Sequence, residues 1–206
     1  AEIRIPMSGP FTIACHLTGI ENMICELATG SETATEALMH LAENQLHYVR
    51  AVVEAGFGVS LFESSVAPPL LSPRLFTERV LPALRRLADG ILASTQPDYQ
   101  LIIGGDTLPI LDAIVSLKPS YIICPIETDQ ERFMADLGEA RDMTVRVNMN
   151  PGVFAPGNEE AALREAKRVL DIASRYDRTT IGILVPYEAD PDIIHTVARY
   201  VSQPET

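Results

Sequence analysis

Tryptophan, long apolar runs and paired cysteines are all missing from this sequence of 206 residues. The apolar stretches, such as 110–115 and 181–185, fall far short of the roughly 18–20 residues that span a bilayer. The N-terminus has neither a basic nor a long apolar segment, so no secretory signal is visible. Three cysteines without a Cys-x-x-Cys pair are typical of free thiols. We therefore predict a cytoplasmic protein with no membrane partner.

Positive charge is also scarce, since the sequence has 16 Lys and Arg residues but 28 Asp and Glu residues, which gives a formal net charge of -12. Nucleic-acid binding depends on clustered basic side chains, so the charge predicts no nucleic-acid partner. The 47% share of hydrophobic residues is too high for a disordered chain. The length fits one domain over residues 1–206.

Six short apolar runs bounded by Gly, Pro or polar residues predict strands at 3–8, 58–63, 100–104, 121–125, 144–148 and 180–185. Their composition is typical of strands buried on both faces. Helical patterns fill the gaps and no Asn-Gly hairpin joins neighbours, which predicts a parallel α/β sheet. A doubly wound sheet and a closed barrel both fit, although the usual Gly-rich nucleotide-binding motifs are absent.

Four helices have clear sequence signals. One covers about residues 32–55, and three others begin at Ser72, Asn158 and Asp190, whose side chains can accept hydrogen bonds from free N–H groups. Pro82 is predicted to kink the second of them. The helix after Asn158 is expected to bury Leu163, Ala166, Leu170 and Ala173.

Polar residues follow the predicted strands, at the sheet edge where parallel α/β proteins bind ligands. His16 is a candidate general acid because its reference pKa is about 6.5, and a structural hydrogen-bonding role is the alternative. Glu63 is a candidate proton acceptor or metal ligand. The alternative is a structural role, in which it caps a helix or forms an ion pair with a nearby basic residue. Because the rim residues have no zinc-ligand spacing, we predict no metal site.

Several short motifs follow one another along the chain: Ser8-Gly9-Pro10-Phe11-Thr12-Ile13, Leu61-Phe62-Glu63-Ser64, Leu71-Ser72-Pro73 with Val80-Leu81-Pro82, Gly105-Asp106-Thr107, Asn148-Met149-Asn150-Pro151 and Asp190-Pro191. In this order they resemble the motifs of the uroporphyrinogen decarboxylase superfamily, which includes the cobalamin-dependent methyltransferases that serve coenzyme M.

The resemblance implies a (β/α)8 TIM barrel, of which this chain holds about six βα units. We expect a partial barrel whose N-terminal strands are missing, because the chain is a fragment or a truncated member. A partner chain or a second copy of the chain is expected to cover the open edge.

The chain departs from both branches of the superfamily. The zinc-binding His-x-Cys of the methyltransferases falls on Ile102 and Gly104, and no cysteine precedes Asp190 in the last part of the chain. The decarboxylases' Gly-His-Gly turn falls on residues 184–188, which contain no histidine. We therefore expect zinc-dependent methyl transfer to be absent and decarboxylation of the usual tetrapyrrole, a step of porphyrin metabolism, to be weak or absent.

Three functions stay open. The first is a divergent carboxy-lyase or methyltransferase on a small carboxylated or methylated substrate. Its catalytic residues would be His16, Ser64 and Glu63, and its substrate-binding residues Phe11, Asp106, Glu127 and Asn148. It would need no cofactor or, as a methyltransferase, a corrinoid donor. The second is a non-catalytic module that binds a corrinoid, a tetrapyrrole or a corrinoid protein, and the third is an inactive copy.

Overall fold

The computed structural model describes residues 3–96, 98–138 and 142–202. They contain one sheet whose six strands follow chain order and are all parallel: β1 (Arg4–Ser8), β2 (Gly58–Phe62), β3 (Tyr99–Ile102), β4 (Tyr121–Cys124), β5 (Thr144–Asn148) and β6 (Thr179–Gly182). A doubly wound sheet reverses its strand order at a switch point, and this sheet does not. The order is that of a (β/α)8 barrel with six units present, as predicted.

Nine α-helices lie in the described ranges: α1 (Pro10–Thr18), α2 (Ile20–Ala28), α3 (Glu32–Glu54), α4 (Pro73–Leu75), α5 (Leu81–Leu92), α6 (Leu111–Val115), α7 (Gln130–Leu137), α8 (Glu159–Ala173) and α9 (Pro191–Val201). A π-helical turn, Phe76–Val80, joins α4 to α5 just before Pro82, where a kink was predicted. None of these helices is long and apolar enough to cross a bilayer.

The two faces of the sheet differ in burial. Val59, Leu61, Val145 and Val147 are buried in the hydrophobic core. The inner face, on the other side, consists of the even-numbered residues of every strand except β4, which contributes Tyr121 and Ile123. Much of this inner face is partly exposed, so the prediction that the strands are buried on both faces is wrong. The cause is that the helices cover one side of the sheet.

The helix starts are confirmed at Ser72 and Asp190, whose side chains accept backbone N–H bonds. Asn158 occupies the capping position just before α8, as predicted, but its side chain makes no capping bond. The buried face of α8 also differs from the prediction, since it consists of Ala162, Ala166, Val169 and Ile172.

Candidate functional site

The carboxyl ends of β1 and β2 meet at a polar cleft. Gly9, which follows β1, donates its backbone N–H to the Phe62 carbonyl oxygen at 2.7 Å and so joins the two strand ends. The cleft has a volume of about 410 Å³ and is lined by Pro6, Met7, Ser8, Thr12, His16, Phe62, Ser64 and Ser65. It therefore lies where parallel α/β proteins bind their ligands.

Glu63 caps the start of α1 from a neighbouring strand. Its side chain is completely buried, and Oε1 accepts hydrogen bonds from the backbone N–H and the hydroxyl of Thr12, at 2.7 and 2.5 Å. Oε2 accepts the N–H of Phe11 at 3.3 Å. Gly9 stands at the capping position, where a Cβ atom would overlap Glu63 Oε2. The glycine therefore makes room for a carboxyl group that satisfies the free N–H groups of α1.

Burial raises the pKa of Glu63 from 4.5 to about 7, although the hydrogen bonds from Thr12 and Phe11 act in the opposite direction. Burial, with a further contribution from Glu63, raises the pKa of the Cys15 thiol to about 11. Cys15 is consequently protonated at neutral pH and is a weak nucleophile.

Thr12 connects Glu63 to the cleft. Its hydroxyl oxygen accepts a hydrogen bond from the backbone N–H of Ser64 at 3.0 Å, and the same hydroxyl donates one to Glu63. Thr12 and His16 are four residues apart on α1, so their side chains share one face of the helix. His16 is exposed and is the titratable side chain among the residues that line the cleft. Glu63 thus fixes the helix that carries His16.

Of the predicted site residues, His16 and Ser64 line this cleft, and Glu63 lies buried behind it, bonded to the lining residue Thr12. The other four lie elsewhere, and none of them is among the described residues that line it. Phe11 is buried in the hydrophobic core, Asp106 accepts the Thr128 hydroxyl at 2.8 Å, Glu127 is exposed after β4, and Asn148 ends β5. Their substrate-binding roles stay predictions.

Three polar residues at or near the carboxyl ends of the strands are not among the site residues predicted from the sequence. Thr12 lies inside a quoted motif, but its bond to Glu63 joins residues 51 positions apart. Arg146 could have been found from the alternation of polar and apolar residues in 144–148. Buried Gln45 donates its side-chain N–H to the Ser8 carbonyl oxygen, and no pattern in the sequence marks it.

The residues present do not fit the zinc ion that the methyltransferase branch uses. Within the described ranges, no three His, Cys, Asp or Glu side chains come together as possible metal ligands. No methyl-transfer step through zinc follows from this arrangement.

A second cavity, of about 510 Å³, lies near the opposite ends of the strands. Ser120 precedes β4 and Met143 precedes β5, and both line this cavity together with Lys118. It lies at the amino ends of parallel strands, where barrel proteins rarely place active sites. The smaller cleft is therefore the better candidate.

Comparison with protein-family models matches residues 6–203 to the family described as Uroporphyrinogen decarboxylase (URO-D). The matched region contains all of the cleft residues. A search of curated proteins found no match.

Proposed function

Because this chain belongs to the uroporphyrinogen decarboxylase family, we propose that it is a carboxy-lyase whose substrate occupies the cleft at β1 and β2. His16 is the proton donor, Ser64 orients the substrate, and Glu63 is a positioning residue that acts through Thr12. The observation that carries the proposal is that His16 shares this cleft with the hydroxyls of Ser8, Thr12 and Ser64.

Decarboxylation needs a proton at the carbon that loses its carboxylate. When the bond between that carbon and the carboxylate breaks, carbon dioxide leaves and the electron pair stays on the carbon. The carbon takes a proton from the His16 imidazolium, and the neutral imidazole recovers a proton from solvent water. Hydroxyl and backbone N–H groups around the cleft hold the substrate during this transfer.

The test measures carbon dioxide release from a panel of malonates, arylacetates and uroporphyrinogen. We expect turnover of at least one acid other than uroporphyrinogen, which should react slowly or not at all. His16→Gln should reduce turnover by about 10²–10⁴-fold, the usual contribution of a general acid. His195→Gln is the matched control, because His195 is exposed on α9 and lines no part of the cleft. Full activity of His16→Gln would contradict the proposal.

A non-catalytic module that binds a tetrapyrrole or a corrinoid is the second candidate. The hydrogen bonds of Glu63 favour this candidate, because both carboxyl oxygens of Glu63 are used to hold α1. His16 is then the titratable group among the residues that line the cleft. Saturable binding of uroporphyrin or cobalamin, measured by absorbance, without turnover of any acid in the panel would support the module and rule out the carboxy-lyase.

A further inference from the structure

Arg146 points along the inner face of the sheet towards the carboxyl ends of the strands. Its Nε donates a hydrogen bond to Asn148 Oδ1 at 2.9 Å, two residues further along β5. The aliphatic part of its side chain lies over Gly182 on β6, where a Cβ atom would overlap it. Asn148 and Gly182 therefore fix the direction of the guanidinium group.

The end of this side chain has no acidic partner among the residues that the structure describes. Eight other basic residues form ion pairs in the described ranges, but Arg146 forms none, and its two Nη atoms make no hydrogen bond there. Since the Nε of arginine can only donate, Asn148 must turn its oxygen towards it, and the Asn148 amide N–H groups then bond to none of the described residues. Together the two side chains present donors alone, in a chain whose net charge is -12.

A set of directed donors without acceptors matches the chemistry of an oxyanion. The planar guanidinium binds carboxylates through two parallel hydrogen bonds, and here its orientation is already set by Asn148. Arg146 is also half-buried, which weakens the competition from water. The location at the carboxyl ends of β5 and β6 is on the same side of the sheet as the His16 cleft.

We infer that Arg146 and Asn148 form a subsite that binds a carboxylate of the ligand. The inference rests on the proposed function, because it places a second, non-reacting carboxylate of the same substrate. Three strand spacings of about 4.8 Å separate β2 from β5, which is roughly 14 Å along the sheet. A substrate that reaches both places is an extended molecule with at least two carboxylates.

The test titrates succinate into isotope-labelled protein and follows the side-chain amide resonance of Asn148 by NMR. We expect a saturable shift with a dissociation constant in the millimolar range. Arg146→Gln should weaken succinate binding by at least about tenfold. Gly182→Ala should also weaken it, because the new methyl group displaces the flexible guanidinium without removing its charge. The backbone spectrum shows whether each variant is folded.

Arg199→Gln is the matched control, because Arg199 is exposed on α9 and its replacement removes the same charge. Binding should be unchanged in this variant and absent when the neutral succinamide replaces succinate. An unsaturable shift, equal weakening by Arg199→Gln, or tighter binding of inorganic phosphate than of succinate would overturn the inference.

The two proposals fail in different ways. His16→Gln should keep its affinity for succinate, since His16 is not part of this subsite. If His16→Gln retains turnover while Arg146→Gln loses succinate binding, the proposed reaction is wrong and the subsite stands. If Arg146→Gln binds succinate normally while His16→Gln is inactive, the subsite is wrong and the reaction stands.

Discussion

At the scale of single residues, Glu63 is unusual because it caps a helix to which it does not belong. The first N–H groups of a helix are normally satisfied by the side chain that precedes them, but here that residue is Gly9. The carboxyl group arrives from the end of β2 and binds Phe11 and Thr12. The strand end, the helix start and the cleft are therefore held as one unit.

Gly9→Ala tests this arrangement directly. The added methyl group would overlap Glu63 Oε2, so we expect the free energy of unfolding to fall by about 1–3 kcal/mol. Urea unfolding followed by circular dichroism measures the change. Gly104→Ala is the control, because nothing lies within 4 Å of its added Cβ atom and the cost should stay below about 0.5 kcal/mol. Equal stability of the two variants would show that Gly9 is not constrained by Glu63.

The raised pKa of Glu63 predicts how stability depends on pH. Between about 4.5 and 7 the folded chain holds the Glu63 proton that the unfolded chain has lost, so the contribution of Glu63 to stability is greatest below 4.5 and falls as pH rises towards 7. The shift corresponds to a loss of roughly 3 kcal/mol. Glu63→Gln, which does not titrate, should lack this decline, while replacement of the exposed Glu127 by Gln should keep it. Urea unfolding from pH 5 to 8 makes the comparison, and parallel curves for the wild type and Glu63→Gln would refute the assignment.

Part of this site could be predicted from the sequence. The position of Glu63 at the end of a buried strand, and of His16 after β1, follows from apolar patterns and from the rule that parallel strands end at one rim. Capping of a helix is one of the alternatives that the sequence offers for Glu63, but the sequence could not show that the helix is α1, because the bonds join residues 51 and 52 positions apart and depend on how α1 packs. Arg146 was missed because its strand was interpreted as buried on both faces.

At the scale of strands and helices, the number, order and direction of the strands were predicted correctly, whereas some strand ends and helix faces were not. All six strands were located, but the last one ends at Gly182 instead of residue 185. In the described ranges, β6 pairs with β5 alone, and Leu184 and Val185 beyond it are more than half exposed. Apolar composition alone does not show whether a strand has one neighbour or two. The buried face of α8 was likewise misplaced, because Leu163, Leu170 and Ala173 are apolar but lie beside the residues that are buried.

Asp190 and Asn158 were both predicted to cap helices, but only the side chain of Asp190 makes a capping hydrogen bond. Asp190 Oδ1 accepts the backbone N–H of Asp192 at 2.9 Å, whereas the Asn158 side chain makes no capping bond. Asp190→Ala should therefore lower the free energy of unfolding by about 1 kcal/mol. Asn158→Ala should change it by less than about 0.5 kcal/mol. Thermal unfolding of the two variants decides the point, and a larger loss for Asn158→Ala would contradict this description of the caps.

At the scale of the whole molecule, the helices cover one face of a parallel sheet and leave a polar inner face. In a closed barrel the inward side chains pack together in layers. Here Arg146, Asn148 and Phe62 on that face remain partly exposed or exposed. β1 and β6 each have one neighbouring strand in the described part of the chain. The partner chain or second copy predicted to cover these edges stays a prediction.

The site and both proposals place ligands on the inner face of the sheet, at the carboxyl ends of the strands. Backbone NMR shifts on titration with succinate test this placement most directly, because the two cavities lie near opposite ends of the sheet. We expect shifts at Ser8, Thr12 and His16 or at Arg146 and Asn148, with no change around Lys118, Ser120 and Met143. Shifts confined to those last three residues would contradict this placement.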